Sequence, residues 1–177
     1  MKKWIKKAVI YVVTFHRRWR SFVATRYLKM AAKSCGHHVG AARIPRISRT
    51  AVVEIGNHAG FNGMTISGMG GVKIGNYFHS GENIKIMLGS HDYDHDDKIP
   101  YGFRHTTKQV VIDDFVWLGS DVIICGNVHI GEGAIVAIGS VVVKDVPRCA
   151  IVGGNPAKVI KYRNIEHFEK LKAEGKY

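Results

Sequence analysis

The chain has 177 residues, 46% of them hydrophobic, with 20 glycines against four prolines; it is long enough for one domain with a continuous core, too short for two, and its glycines call for many tight corners. The cysteines Cys35, Cys125 and Cys149 are odd in number and form no CxxC pair, which argues against a disulfide framework or cysteine zinc knuckle and for a reducing cytoplasm. A formal net charge of +12 demands an anionic partner, and with no reading motif and no basic residues interleaved with aromatics on a strand, nucleic acid drops out, leaving a phosphorylated cofactor or an acidic membrane surface.

The first element, residues 1–35, reads as a helix. It combines Lys2, Lys3, Lys6, Lys7, Arg17, Arg18 and Arg20 with an apolar run, 8–15, that is too short to span a bilayer. Two readings stand side by side: a basic amphipathic segment lying on an anionic membrane face, anchored by Trp4 and Trp19, or a helix packing its apolar side on the domain or another subunit.

From 36 to 163 isolated Ile and Val positions alternate with Gly, Asn, Asp and Ser. Counting in sixes joins Ile112, Leu118, Ile124, Ile130, Val136 and Val142, and four residues after each stand Val116, Val122, Val128, Ala134, Ser140 and Val146. Six repeats in phase, with small or turn-forming residues after the lead position as in Asp113, Gly119, Gly131 and Ala137, predict a parallel β-solenoid in which every short strand is one side of a coil. An earlier block, Ile74-Gly75 to Ile86, and a weaker one at Ile55-Gly56 obey the same rule with a phase slip between them. Ile86 and Ile112 are 26 residues apart, not a multiple of six, so a loop at 87–108 leaves the coil and returns. Long excursions from rigid scaffolds tend to carry function. After Gly153-Gly154-Asn155-Pro156, residues 164–177 read as a short charged helix capping the open end of the coil.

The six-residue repeats, the His-bearing excursion, Val116-Trp117-Leu118-Gly119 and the exit 153–161 (GGNPAKVIK) together resemble the hexapeptide-repeat O-acetyltransferases. The galactoside, maltose and polysaccharide enzymes are nearest in pattern. The resemblance implies a mostly β fold, a left-handed parallel β-helix, assembled as a homotrimer with active sites between subunits. It further implies transfer of an acetyl group from acetyl-CoA to a saccharide, and the basic N-terminus, outside the resemblance, points to a lipid-linked saccharide of surface polysaccharide biosynthesis in the cytoplasm, at the inner face of the membrane.

Acetyl transfer needs a base for the acceptor proton and donors for the oxyanion. By the resemblance His91 is the base, and Asn62, Asp92 and Tyr93 contact the acceptor. Pantetheine lies along Trp117, Gly119, Ser120, Ile138 and Gly139, with the Ser120 N–H region holding the oxyanion and Lys144, Lys158 and Lys161 the phosphates. Asn62 also reads as a plain corner Asn, and Trp117 as a packing residue. Where the sugar enzymes carry a carboxylate, this chain has Ser67-Gly68-Met69-Gly70-Gly71, so the acceptor stays open, amines included. No metal is expected, although the histidines keep a γ-class carbonic-anhydrase-like zinc hydratase as an alternative. A non-catalytic trimeric docking module is the other.

Overall fold

The computed structural model describes residues 3–177. Its body is a left-handed β-helix of about six turns, a three-walled prism whose walls are parallel sheets. The first wall stacks Ser34–Cys35, Ala51–Ile55, Gly70–Ile74, His105–Ile112 and Val128–Ile130; the second stacks Gly40–Ala41, Gly60–Phe61, His79–Ser80, Trp117–Leu118, Ile135–Val136 and Ala150–Gly154; the third stacks Arg46–Ile47, Met64–Ser67, Ile84–Met87, Ile123–Cys125 and Val141–Val142. One turn is one pass over the three walls, which is why Val110 to Ile112 pair with Val128 to Ile130 and Leu118 with Val136, eighteen residues on.

Both six-residue series face inward. The Ile112 series and the Val116 series are buried throughout, Ser140 included, whose hydroxyl donates to the Ala137 carbonyl at 2.6 Å. A six-residue side with two inward side chains packs one layer of Val, Ile and Leu per turn, and the layers form a single core from Val39 to Val152. The phase slips sit in the corners. Ile55 pairs with Ile74, nineteen residues on, and Ile66 with Ile86, twenty on, so added residues such as Gly68 and Met69 bow out between strands and leave the core register intact.

Between the second and first walls a column of residues takes left-handed backbone: His38, His58, Tyr77 and Phe115. Their rings stack turn upon turn at centroid spacings of 4.7, 4.7 and 5.1 Å, close to the strand spacing and the preferred aromatic separation. The corner N–H groups beside them are held by the next turn's side chain: His37 N–H donates to Asn57 Oδ1, Asn57 N–H to Asn76 Oδ1 and Asn76 N–H to Asp114 Oδ1.

Helix α1, Lys3–Ala31, closes the N-terminal end of the coil. Ala24 and Leu28 are buried in the core. Ala41 lies on the edge strand of the second wall; its N–H donates to Thr25 Oγ1 and its carbonyl accepts from Ser21 Oγ, both at 2.9 Å. Helix side chains thus satisfy an edge that would otherwise template association. At the other end, Ala157–Tyr162 turns back antiparallel on Ala150–Gly154. Helix α2, Ile165–Ala173, starts at an Asn164 cap that accepts from the His167 N–H, and packs Phe168 against the aromatic column, edge-on to Phe115 at 5.9 Å.

Candidate functional site

The excursion is structured where it leaves the coil. Gly89–His91 pairs antiparallel with the first residues of His105–Ile112, His91 opposite His105, so the arms form a hairpin at the corner between the third and first walls. Beyond it the tip is organised by carboxylates. Asp96 accepts from the N–H groups of Asp97, Gly102 and Arg104; burial pushes its carboxyl up, and these bonds outweigh it, so it titrates low.

Residue 91 is thereby fixed at the hairpin end. The His91 ring stacks on Tyr101 at 3.7 Å and lies 4.5 Å from the His105 ring. Its Nδ1 is buried without a hydrogen-bond partner. An orphaned ring nitrogen in a native fold asks for a functional reason. Its neighbour Asp92 is occupied within the loop: Oδ1 accepts from the His95 N–H and ring Nδ1, at 3.2 and 2.9 Å. That bond to His95 holds the Asp92 carboxyl below its usual range and raises His95. Tyr93 is exposed beside it.

A second feature lies at the corner between the second and third walls. Trp117, Gly119, Ser120 and Ile138 line one groove of about 380 Å³ with Gly81 and Ala137, and Gly139 follows directly. The N–H groups there follow a turn-to-turn rule: Glu82 N–H donates to Ser120 Oγ, one turn on. By the Leu118–Val136 register, Ser120 stands opposite Ile138, whose side chain offers no acceptor. Among the described residues no acceptor is bonded to the Ser120 N–H, and a free backbone donor beside an apolar groove suits an amide-bearing arm or a developing oxyanion.

The remaining candidates are dispersed. Lys158 and Lys161 lie on the edge strand next to Gly153 and Ile151, on the same wall as Trp117 and three strands away, roughly 14 Å across a sheet. Both are within the wall that the groove opens on, and lysines there are free to meet phosphate. Lys144 follows Val141–Val142 and stands at the hairpin corner instead. Asn62 donates its carboxamide N–H to the Ser80 carbonyl at 2.8 Å and lines a cavity with Arg17, Arg18, Arg20 and Arg43. Within one chain, then, His91 and the Trp117 groove occupy different corners, and Asn62 stands on the groove's corner, one turn before Gly81. Among the described residues no three His, Cys, Asp or Glu side chains gather as a metal site.

Sequence reasoning passed over the aromatic column and the cavity of about 530 Å³ between it and α2, lined by Tyr77, Phe115, Trp117, Phe168 and Tyr177. The signal was present: His58, Tyr77 and Phe115 each stand three residues after a lead Ile.

No family model matches the chain. A hexapeptide-repeat-containing acetyltransferase from Vibrio cholerae, solved with acetyl coenzyme A, is 26% identical with a TM-score of 0.58 over 76% of this chain and 73% of that one. Galactoside acetyltransferase in complex with coenzyme A shares the fold, with 23% identity and a TM-score of 0.66 over 80% of this chain and 70% of that one. A 2,3,4,5-tetrahydropyridine-2,6-dicarboxylate N-acetyltransferase from Staphylococcus aureus is 52% identical over 56 residues, 32% of this chain. The chain spans about a quarter of the length of that curated relative, 23%. The coil thus defines a hexapeptide-repeat left-handed β-helix protein. Within that class, the solved structures it resembles include hexapeptide-repeat acetyltransferases.

Proposed function

We propose that the protein transfers an acetyl group from acetyl-CoA to a saccharide hydroxyl, at sites formed where the hairpin corner of one copy faces the Trp117 groove of the next. The observation that carries the reading is His91: a ring fixed by a hairpin and by Tyr101, with a buried Nδ1 that finds no partner inside its own chain. The groove fits a slender donor arm, since its walls are apolar and its free donor is the Ser120 N–H. Lys158 and Lys161, with Lys144 from the neighbouring copy, supply positive charge for phosphates.

In this reading the acceptor hydroxyl gives its proton to the His91 imidazole as its oxygen bonds to the thioester carbonyl carbon. The oxyanion is held by the Ser120 N–H, the carbon–sulfur bond breaks, and the imidazolium returns the proton to the leaving thiolate. Proximity in a ternary complex supplies much of the rate. Asn62, Asp92 and Tyr93 are the acceptor contacts, and the saccharide belongs to surface polysaccharide synthesis on the cytoplasmic side. The test is thiol release from acetyl-CoA across a panel of sugar and amine acceptors. His91→Ala lowers turnover about 10²- to 10⁴-fold while calorimetry still detects coenzyme A. Near-full activity in that variant refutes His91 as the base, and turnover only with amine acceptors refutes the hydroxyl.

A further inference from the structure

Charge is unevenly spread along this chain. The first acidic residue is Glu54, and thirteen of the 26 basic residues precede it, so residues 54–177 carry thirteen basic residues against all 14 acidic ones. The whole net positive charge sits on α1 and the first turn.

Helix α1 also faces the coil with an unexpected side. Its contacts come from Ser21, Ala24, Thr25 and Leu28, spaced by three and four and hence on one face. Trp4, Tyr11, Val12, Phe15, Trp19 and Phe22 share another face by the same spacing, roughly 130° around the helix from the first at 100° per residue. All six are between 59% and 74% exposed. The small residues sit down on the coil, and the aromatic stripe is turned away, unpartnered over about 27 Å of helix. Arg18 stands between the two faces and Arg17 and Arg20 fall toward the coil side, and all three line the cavity of about 450 Å³ shared with Arg43 and Asn62. Arg43 is paired with Glu82 at 2.8 Å; among the described residues the three α1 arginines have no acidic partner.

We infer that α1 docks the protein on an anionic phospholipid bilayer, its aromatic stripe lying in the interface, Arg18 at the flank of the stripe meeting lipid phosphate, and Arg17 and Arg20 adding to the positive field behind it. Charge complementarity selects this occupant. A second copy of α1 would set basic residue against basic residue, with no acid before Glu54 to relieve it, whereas Trp and Tyr on an apolar face flanked by Lys and Arg match the interfacial region of a bilayer. No helix of the described residues is long and apolar enough to cross a membrane, so the stripe lies along the surface. This docking is independent of acyl transfer, and thiol release from acetyl-CoA in solution is unaffected by its failure.

The experiment pellets the full chain with vesicles of phosphatidylcholine alone and of an equal mixture with phosphatidylglycerol, following Trp fluorescence. The protein partitions to the mixed vesicles with a blue shift, and raising the salt releases it. Joint Arg17→Gln, Arg18→Gln and Arg20→Gln weakens partition on the order of 10²-fold, at about 1 kcal/mol per charge. Phe15→Ser with Trp19→Ser weakens it about tenfold or more. These side chains are exposed, so the far-UV spectrum is unchanged, and the salt titration of the unaltered protein reads the charge contribution without any substitution. Equal binding to both vesicles, or no binding, overturns the inference. So does Phe15→Ser with Trp19→Ser lowering the particle mass in lipid-free sedimentation while leaving vesicle binding intact, which would give the stripe to a second copy.

Discussion

Gly133 and Gly139 provide a matched pair for measuring how firmly α2 is docked. Both have a φ of +69°, so an alanine at either costs about 1 to 2 kcal/mol of backbone strain. Their surroundings differ. A Cβ at Gly139 would meet nothing within 4 Å, whereas at Gly133 it would lie 2.8 and 3.0 Å from Phe168 ring carbons and 3.3 Å from Cys149 Sγ. The Cys149 sulfur belongs to a fully buried residue and cannot retreat, so the Phe168 ring must. Leaving its seat beside Phe115 and under Arg163, whose guanidinium carbon is 4.9 Å from the ring centre, forfeits much of the about 1.5 to 3 kcal/mol that burying an aromatic side chain contributes. Gly133→Ala therefore costs about 2.5 to 5 kcal/mol and Gly139→Ala about 1 to 2. Urea unfolding of both variants, with m-values compared, reads the difference. If α2 detaches before the coil melts, the cost in urea saturates and the excess appears as faster hydrogen exchange over residues 165–176. Equal costs at the two positions, with unchanged exchange in α2, would refute the claim that Phe168 anchors the helix.

Three further outcomes follow from the same geometry. Burial pushes the Glu132 carboxyl up, but hydrogen bonds from Lys172 and Arg148 outweigh it and hold it below its ordinary 4.5; stabilisation of α2 is thus complete above about pH 4.5 and is lost as pH falls through the depressed value, a loss that Glu132→Gln flattens in an acid titration of α2 exchange. Ile138→Ser places an acceptor opposite the Ser120 N–H, as Ser120 already does for Glu82, so turnover falls about 10²-fold while the melting temperature stays within a few degrees; unchanged turnover removes the Ser120 N–H from the reaction. Ile124→Ala, at a position with no exposure in the central layer, destabilises by about 2 to 5 kcal/mol in urea unfolding.

The central turns were legible because their rule is local. From Ile112 onward each wall has six residues and two inward side chains, so the period appears in the sequence without knowledge of any partner. The earlier turns obscure it by adding residues at corners, as at Gly68 and Met69, where an insertion disturbs the count and spares the core. The hairpin was opaque for another reason: its arms, Gly89–His91 and the start of His105–Ile112, are short, polar and half exposed, with no alternation to mark them as strands. For α1 the apolar pattern was plain, but which stripe meets the coil depends on Ala41, a residue ten positions beyond the helix whose two backbone groups need Ser21 and Thr25.

Two interruptions share one physical logic. A β-helix satisfies its corners by repetition, each turn's N–H taken by a side chain of the next, as with Asn57, Asn76 and Asp114 in one column and Glu82 with Ser120 in another. Where the next side chain is Ile138, repetition fails and an N–H is left over; where the strand series breaks after Met87, the chain leaves the coil and fixes His91 with a nitrogen left over. The Ser120 N–H and the His91 Nδ1 lie at different corners of one prism, so the proposed site needs the facing corners of two copies to bring them together.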